Sequence, residues 1–250
     1  MSAGSPMLWN ADYSQLELRI FAYVTKCRWM VDTFQQDGDI HAATGQIVLG
    51  ISPAELKANP SMRTRAKTLN FGMAYGAQGE TVEEQIIKTA LQRPDLNIKI
   101  PSLAECKEMV KTFWTKAPEA KEWVIFIQEL VRDRGYSETL YGRRRYLPFI
   151  RSNNSELRAH AERQAVNHVI QGSAADIIKN AALMLWRDCD EYDADIRLQV
   201  HDELMGICWN PAKAQLWLEV VKRYMELDQP LQPVPLKVEP RLVRNWYEAK

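Results

Sequence analysis

The segment at 195–209, DIRLQVHDELMGICW, is the feature of this sequence that most constrains its fold. Apolar and polar residues alternate along it, and Leu198 and Val200 fall on the same face of an extended chain as Asp202. This alternation predicts a β-hairpin that turns at His201 and Asp202. Because Asp202 shares a face with apolar residues, we expect its carboxylate to point towards the core, where a charge is costly unless it is paired or coordinated.

Helical periodicity dominates the rest of the chain. Further short strands are predicted at 7–11, in a hairpin at 135–148 around Tyr141 and Gly142, and at 235–239. The predicted helices lie at 14–26, from near Ile40, and at 60–76, 80–91, 103–115, 118–134, 155–169, 173–189 and 211–227. The fold class is therefore α+β, with helix dominant.

Composition places the chain among ordinary globular proteins. Its 250 residues suffice for one large domain or two small ones. The hydrophobic fraction of 46% and the charged fraction of 26% are typical values, and no apolar run approaches the ~20 residues that span a bilayer. The four cysteines show no metal-ligand spacing, so we interpret them as reduced thiols of a cytoplasmic protein.

The formal net charge is zero, but the charges are unevenly distributed. Eight arginines and four acids occur between Arg132 and Arg163, whereas the segment from Asp188 to Asp195 carries five acids and no base. A neutral chain with this segregation can still present a phosphate-binding surface. Segregated charge also occurs on proteins that bind no nucleic acid, so the charge pattern alone does not show whether this protein binds nucleic acid.

A second acidic position, Asp12, follows the predicted strand at 7–11 in the stretch DYSQLELR. A hard divalent cation held by Asp12 and Asp202 would remove the cost of a buried charge. Two aspartates at strand ends can hold two Mg²⁺ ions ~3.5–4 Å apart, the arrangement that serves phosphoryl transfer. The alternatives are a tight turn with solvated acids at Asp202, and a capping box between Ser14 and Glu17 that leaves Asp12 as a loop residue.

A stripe of four residues at intervals of four occurs in the predicted helix at 60–76, namely Arg63, Lys67, Phe71 and Tyr75. It extends over ~18 Å of helix. The two cations could contact phosphates, and the two aromatic rings could stack on a base or a sugar. The alternative is an amphipathic helix whose basic side chains extend along an apolar surface to reach water.

Six blocks of the sequence occur in a recognisable order. DYSQLELR, RTRAKTLNFGMAYG and QVHDEL are accompanied by GDIH at 38–41, ETLYGRRRYLP at 138–148 and ERQAVNHVIQGSAADIIK at 162–179. Together they resemble family A DNA polymerases, the bacterial DNA polymerase I type, from about Met7 to the C-terminus. The resemblance implies a right-hand polymerase fold, with palm at 7–35, helix-rich fingers at 36–135 and palm again at 136–250 around an antiparallel sheet.

The resemblance also implies a function and a set of site residues. The function is template-directed transfer of dNTPs to a primer 3′-hydroxyl with two Mg²⁺ ions, in a bacterial cell or a phage-infected host. Asp12, Asp202 and the carbonyl of Tyr13 would bind metal, and Lys67 would donate a proton to the leaving pyrophosphate. The implied dNTP-binding residues are Tyr13, Gln15, Glu17, His41, Arg63, Lys67, Phe71 and Tyr75. The implied DNA-binding residues are Arg143, Arg163, Asn167, Gln171 and His201.

Finer roles follow for two acids. Glu17, hydrogen-bonded to Tyr75, would close off the ribose 2′ position so that dNTPs are preferred to NTPs. Glu203 would act as an outer or structural acid rather than as a direct metal ligand.

The family carries a thumb and first palm strands before the position that matches Asp12. They precede the start of this sequence, so we expect an exposed apolar patch, a weak grip on DNA and no proofreading. Either the chain is one subunit of a split polymerase, with a second polypeptide that carries thumb and upstream palm, or it is an excised fragment. Residues 92–102 resemble a surface insertion.

Two other functions compete with DNA synthesis. A single-subunit RNA polymerase shares this kind of palm, but Glu17 and the sequence HDE at 201–203 indicate deoxynucleotides. A non-catalytic DNA-binding or accessory protein of polymerase descent would be expected to lack one or more of Asp12, Asp202, Arg63 and Lys67, and all four are present.

Overall fold

The fold is α+β, as predicted; the computed structural model describes residues 5–227 and 231–249. The strands are β1 Met7–Tyr13, β2 Tyr136–Glu138, β3 Arg144–Tyr146, β4 Ala194–Val200, β5 Glu203–Cys208 and β6 Val238–Val243. The helices are α1 Leu16–Thr25, α2 Arg28–Gln35, α3 Ile40–Ile47, α4 Pro53–Ala58, α5 Pro60–Ala74, α6 Gly79–Gln92, α7 Leu103–Lys116, α8 Pro118–Arg134, α9 Ser155–Asp188 and α10 Ala214–Glu226. Across this described part of the chain, no helix combines the length and the apolar character needed to cross a membrane.

The chain forms two compact units. One, here called the sheet unit, comprises the described residues within 1–16 and 171–250; the other, the helical unit, comprises 17–170. These limits differ from the predicted palm and fingers boundaries after residues 35 and 135, and that division stays a prediction.

An antiparallel sheet in the order β4-β5-β1-β6 organises the sheet unit. Strand β1 pairs with β5 on one side and with β6 on the other. Helix α10 packs against β1 and β6, where Trp9 and Trp217 meet edge to face with ring centroids 5.7 Å apart. Both indole rings are fully buried, so they anchor the central strand to the helix that covers it.

The hairpin predicted at 195–209 is present, but its outer strand does not face the core as expected. Leu198 is 46% exposed and Val200 is 36% exposed. Strand β4 lies at the edge of the sheet, and its register with β5 shifts between Ile196 and Leu198. The alternation therefore predicted the hairpin correctly but the buried face wrongly, because an edge strand with an irregular register has no fixed inner face.

A glycine allows β1, β5 and β4 to interact at this irregularity. A Cβ atom added to Gly206 would lie 1.8 Å from the carbonyl oxygen of Asp195 and 2.8 Å from Nε1 of Trp9. Nε1 of Trp9 donates a hydrogen bond to that carbonyl over 3.1 Å. The indole of β1 thus bonds to β4 across the position that Gly206 leaves open.

Helix α9 differs from the prediction of two helices at 155–169 and 173–189. It is continuous over its 34 residues. Gly172 and Ser173, at the predicted boundary between the two helices, are both buried within it. Burial of this position offsets the helix-propensity cost of about 1 kcal/mol for glycine.

The remaining differences are small. The hairpin predicted at 135–148 is confirmed, with Gly142 in the left-handed region at its turn. Helices α2 and α4 were not predicted, and β6 begins at Val238 rather than at 235. Residues 92–102 contain a single short 3₁₀ turn at Pro94–Leu96 and otherwise form a loop.

Candidate active site

The two predicted metal-binding aspartates lie at the same end of adjacent strands in the sheet unit. Asp12 stands opposite Glu203 in the β1–β5 register. The backbone N–H of Tyr13 donates to the carbonyl oxygen of Asp202 over 3.3 Å. The hairpin turn at His201 and Asp202 therefore brings the second aspartate beside the end of β1, as the sequence predicted.

Burial and neighbouring carboxylates raise the pKa of the two aspartates at this end of the sheet. Partial burial, and then the nearby charges of Asp202 and Glu203, raise the pKa of Asp12 to about 6, while Arg241 opposes the shift. Burial also raises the pKa of Asp202. Within residues 5–227 and 231–249, neither Asp12 nor Asp202 forms an ion pair with a lysine or arginine. The cluster is therefore one of neighbouring carboxylates, in which Arg241 acts on Asp12 without a direct ion pair.

This donor set fits a hard divalent cation. Aspartate carboxylates and a backbone carbonyl, such as that of Tyr13, are the oxygen ligands that Mg²⁺ takes. In the described residues, no three His, Cys, Asp or Glu side chains are grouped so that they could together hold a metal ion. The assignment of Asp12, Tyr13 and Asp202 as metal ligands stays a prediction.

Glu203 is held by β1. Nδ2 of Asn10 donates to Oε1 of Glu203 over 2.9 Å, and Asn10 is itself buried. The hydrogen bond fixes a third carboxylate near Asp12. The Asn10 contact could not be predicted from the sequence, because it depends on the register between the two strands.

In the helical unit, α5 carries the predicted stripe on its solvent side. Arg63 and Lys67 are exposed, and Phe71 and Tyr75 are half-buried. The buried side of the helix is formed by Ala66, Leu69, Asn70 and Met73. Helix α5 begins after Asn59, whose side chain accepts from the N–H of Ser61, and ends at Ala74 with Tyr75 as its C-cap. Three residues of the stripe therefore lie within this helix, and Tyr75 directly follows it.

Two further groups face this stripe from the start of α3. The side chain of Asp39 caps α3 by accepting from the N–H groups of His41, at 2.9 Å, and Ala42, at 3.2 Å. The same carboxylate forms an ion pair with Arg63. Burial alone would raise the pKa of Asp39, but hydrogen bonds from Arg63 and from the two N–H groups lower it.

His41 lies in the buried part of this cluster. The residue is 5% exposed, and its ring centroid is 5.9 Å from that of Phe71. Burial lowers the pKa of His41 to about 4; the carboxylate of Asp39 opposes this shift, and Lys67 and Arg63 add to it. His41 is therefore a neutral imidazole at neutral pH.

A chain of hydrogen bonds connects His41 to the interior. Nδ2 of Asn70 lies 3.0 Å from Nδ1 of His41 and 3.4 Å from the carbonyl oxygen of Ile40. Oδ1 of Asn70 accepts from the hydroxyl of Thr44 over 2.7 Å. Both Thr44 and Asn70 are buried. Four dNTP-site candidates, His41, Arg63, Lys67 and Phe71, thus lie around a network that includes residues not predicted from sequence.

Gln15 and Glu17 lie at the start of α1. Both are half-buried, and Gln15 has a left-handed backbone with φ 56°. The helix begins at Leu16, after this residue. The predicted bond from Glu17 to Tyr75, and the capping box between Ser14 and Glu17, stay predictions.

The predicted DNA-binding residues lie on α9 and on two turns. Arg163, Asn167 and Gln171 follow one another at intervals of four along α9. Oδ1 of Asn167 is buried and has no hydrogen-bond partner in the described part of the molecule. His201 occupies the β4–β5 turn with φ 55°, and exposed Arg143 follows the turn before β3. Their contact with DNA stays a prediction.

Sequence analysis missed Asp39, Thr44 and Asn70 as members of the site. Asp39 had a usable signal, because an aspartate directly before a helical pattern is a preferred N-cap. Asn70 had a weaker one, because asparagine is a poor helix former inside a long helical pattern. The partners of both residues became evident only from the structure.

The α+β fold, with its four-stranded antiparallel sheet and helix-rich unit, is that of a polymerase domain. The chain belongs to DNA polymerase family A, whose family model matches residues 1–248. It is 39% identical to DNA polymerase I of Caldicellulosiruptor bescii, over 99% of this chain and 27% of that protein. It is 35% identical to the thermostable DNA polymerase I of Thermus aquaticus, over 96% of this chain and 27% of that protein.

A solved structure is also similar. The POL domain of Pol1 from M. smegmatis, in complex with DNA primer-template and dNTP, matches with a TM-score of 0.83 and 31% identity, over 98% of this chain and 41% of that one. The chain spans about a quarter of the length of the curated relatives that it matches.

Proposed function

We propose that this chain catalyses template-directed DNA synthesis, by transfer of a nucleotide from a dNTP to a primer 3′-hydroxyl. The observation that carries the proposal is the pairing of β1 with β5, which brings Asp12 and Asp202 to the same strand ends. Membership of family A and the neighbour solved with primer-template and dNTP support it.

In the sheet unit, Asp12 and Asp202, with the carbonyl of Tyr13, would hold two Mg²⁺ ions. When bound, these ions supply activation of the primer hydroxyl and charge neutralisation at the departing pyrophosphate. The crowded carboxylates supply the negative field that attracts a divalent cation. Glu203, fixed by Asn10, adds to that field without being a direct ligand.

In the helical unit, the α5 stripe would bind the nucleotide. Arg63 and His41 would contact phosphate oxygens, and Lys67 would bind the triphosphate and donate a proton to the leaving pyrophosphate. The aromatic rings of Phe71 and Tyr75 would pack on the sugar and base. Glu17 would contact the sugar and exclude a ribose 2′-hydroxyl, and Gln15, which belongs to the sheet unit, is proposed as a second sugar contact.

The primer–template would be bound by Arg143, Arg163, Asn167, Gln171 and His201. The spacing of three of them along one helix gives a row of polar groups directed to one side. The four free, buried cysteines suit synthesis in a reducing compartment, which we propose to be the cytoplasm.

We further propose a second polypeptide that carries the thumb and the upstream palm. Strands β4 and β6 are the edges of the described sheet, and β4 exposes Leu198 and Val200. An exposed edge with apolar side chains is suited to pairing with another chain.

Single-nucleotide primer extension with Mg²⁺ tests the main proposal, with Asp202→Ala as the inactive variant. Asp190→Ala, which removes an exposed acid of the same unit, is the matched control. We expect incorporation by the parent chain and by the control, and none by Asp202→Ala or in the presence of a chelator. Equal incorporation by Asp202→Ala would refute the two-metal assignment.

A parent chain that binds primer–template but incorporates nothing would favour the non-catalytic accessory role. Adding a thumb and palm polypeptide taken from a family A relative distinguishes that role from a missing subunit. Restored incorporation would support the split polymerase, whereas continued inactivity would argue against catalysis.

A further inference from the structure

Asn70 is a polar residue in the buried contact between α3 and α5. It is 1% exposed, yet it lies one residue before Phe71 of the nucleotide stripe. Its amide group has three neighbours: the carbonyl oxygen of Ile40, the hydroxyl of Thr44 and Nδ1 of His41. These three contacts use both hydrogens and the oxygen of the amide.

The neighbours determine which way the amide points. The carbonyl oxygen of Ile40 can only accept a hydrogen bond, so the amide group nearest to it must be the NH₂. The hydroxyl of Thr44 has one hydrogen and lies 2.7 Å from Oδ1 of Asn70 and 2.9 Å from the carbonyl oxygen of Ile40, so the shorter contact favours donation to Oδ1. Reversing the amide would place its oxygen against the oxygen of Ile40, an unfavourable contact in a buried site.

The orientation of Asn70 in turn determines the proton of His41. The NH₂ group donates towards Nδ1 of His41 over 3.0 Å, so Nδ1 must be the unprotonated, accepting nitrogen. The proton of the neutral ring therefore lies on Nε2. Protonating Nδ1 would set two donors against each other, so the same contact also opposes the imidazolium form.

We infer that Asn70 is a positioning residue that holds His41 as a neutral imidazole with its proton on Nε2, ready to donate a hydrogen bond to a phosphate oxygen of the nucleotide. The phosphate role of His41 rests on the proposed function; the tautomer does not. Thr44 supports the arrangement by holding the oxygen of the amide.

The charged groups around His41 are consistent with a neutral donor. Arg63 and Lys67 already provide two positive charges near the ring, and Asp39 provides one negative charge. A third cation would be repelled by the first two when no nucleotide is bound. A neutral N–H donor avoids that cost and still satisfies a phosphate oxygen.

Nitrogen NMR of the chain labelled with ¹⁵N-histidine tests the inference without substrate. The chain has four histidines, so the His41 signals can be assigned with one His41→Gln variant. We expect the proton on Nε2 at neutral pH, and no titration of this ring until the pH approaches its pKa of about 4. A proton on Nδ1 in the parent chain would overturn the inference.

Asn70→Asp reverses the polarity of the contact with almost no change in shape. A carboxylate can only accept from Nδ1, so the variant is expected to move a proton onto Nδ1 and to raise the pKa of His41. An unchanged tautomer and titration in a folded Asn70→Asp chain would also overturn the inference. Thr44→Val, which removes the hydroxyl and keeps Asn70, is the second variant and should loosen the tautomer preference without reversing it.

Kinetics then link the tautomer to the nucleotide. In Asn70→Asp, assayed at a pH above the raised pKa of His41, KM for dNTP should rise about tenfold or more, because the neutral ring then carries its proton on Nδ1 and Nε2 no longer donates to phosphate, while the Kd for primer–template stays at the parent value. Loss of primer–template affinity to the same extent would indicate a merely structural role and overturn the positioning role. A parent chain with the Nε2 proton but no incorporation would refute the proposed function and leave the tautomer assignment intact.

Discussion

Asp39 and Arg63 form an ion pair at the point where α3 begins, and the same carboxylate caps that helix. The side chain of Asp39 therefore holds two groups in place: the start of α3, which carries His41, and the guanidinium of Arg63 on α5. Each partner is partly exposed, so the pair by itself contributes little to stability. Its importance lies in setting the distance between two proposed phosphate contacts.

Two substitutions of Asp39 distinguish the contribution of its helix cap to stability from that of its ion pair with Arg63. Asp39→Asn keeps a preferred N-cap and loses the ion pair, so its free energy of unfolding should fall by at most about 0.5 kcal/mol. Asp39→Ala loses both and should cost about 1 kcal/mol or somewhat more. Urea denaturation of the two variants beside the parent measures this difference; equal losses would show that the cap contributes nothing.

His41 predicts a pH dependence of stability. Its pKa is about 4 in the folded chain and about 6.5 when unfolded, so below pH 6.5 the unfolded chain takes up a proton that the folded chain refuses. The stabilisation present above pH 6.5 is therefore lost as the pH falls towards 4, by roughly 3 kcal/mol at most. Urea denaturation between pH 7 and 4.5 should show a shallower decline for His41→Gln than for the parent. Parallel curves would contradict the prediction.

Replacing Glu17 by glycine tests the proposed sugar selectivity. The variant should incorporate ribonucleotides at least tenfold more efficiently relative to dNTPs, because the side chain proposed to exclude the 2′-hydroxyl is absent. The measurement is the ratio of kcat/KM for matched dNTP and NTP pairs. Glu17→Gln, of nearly the same shape, should stay close to the parent; an unchanged ratio in Glu17→Gly would contradict the role.

Asp12→Asn should make the chain more stable without metal. It removes one of three neighbouring carboxylates whose mutual repulsion and partial burial raise the pKa of Asp12. Because the group is partly solvated, the gain in unfolding free energy at pH 7 in a chelator should be roughly 1 kcal/mol. Adding Mg²⁺ should then stabilise the parent more than the variant. Equal shifts in Tm on adding Mg²⁺ would indicate that Asp12 binds no metal.

Sequence reasoning succeeded where a pattern is local. Hydrophobic periodicity and helix-breaking residues, read over a few positions, predicted the β4–β5 hairpin, the α5 stripe and the ends of α8 at Pro118 and Arg134. It failed where packing decides. The exposure of Leu198 depends on the edge position of β4, and the continuity of α9 through Gly172 depends on buried neighbours.

The site shows the same division. Asp12 and Asp202 could be paired in advance because each ends a predicted strand. The contact between Asn10 and Glu203, and the network from Thr44 through Asn70 to His41, join residues far apart in sequence through hydrogen bonds. Such contacts require the register of a sheet or the packing of two helices, which single-sequence periodicity does not contain.

Gly206 has a consequence for how this chain can vary. Because Trp9 and Asp195 meet in the space that any side chain at 206 would fill, even alanine must displace backbone there. In a saturation library selected for folded chains, position 206 should keep a single codon family, while the exposed positions of β4 next to the turn at His201 and Asp202 accept many. Substitutions at the exposed residues of β4 should thus be tolerated, whereas position 206 of β5, four residues after Asp202, is restricted to glycine.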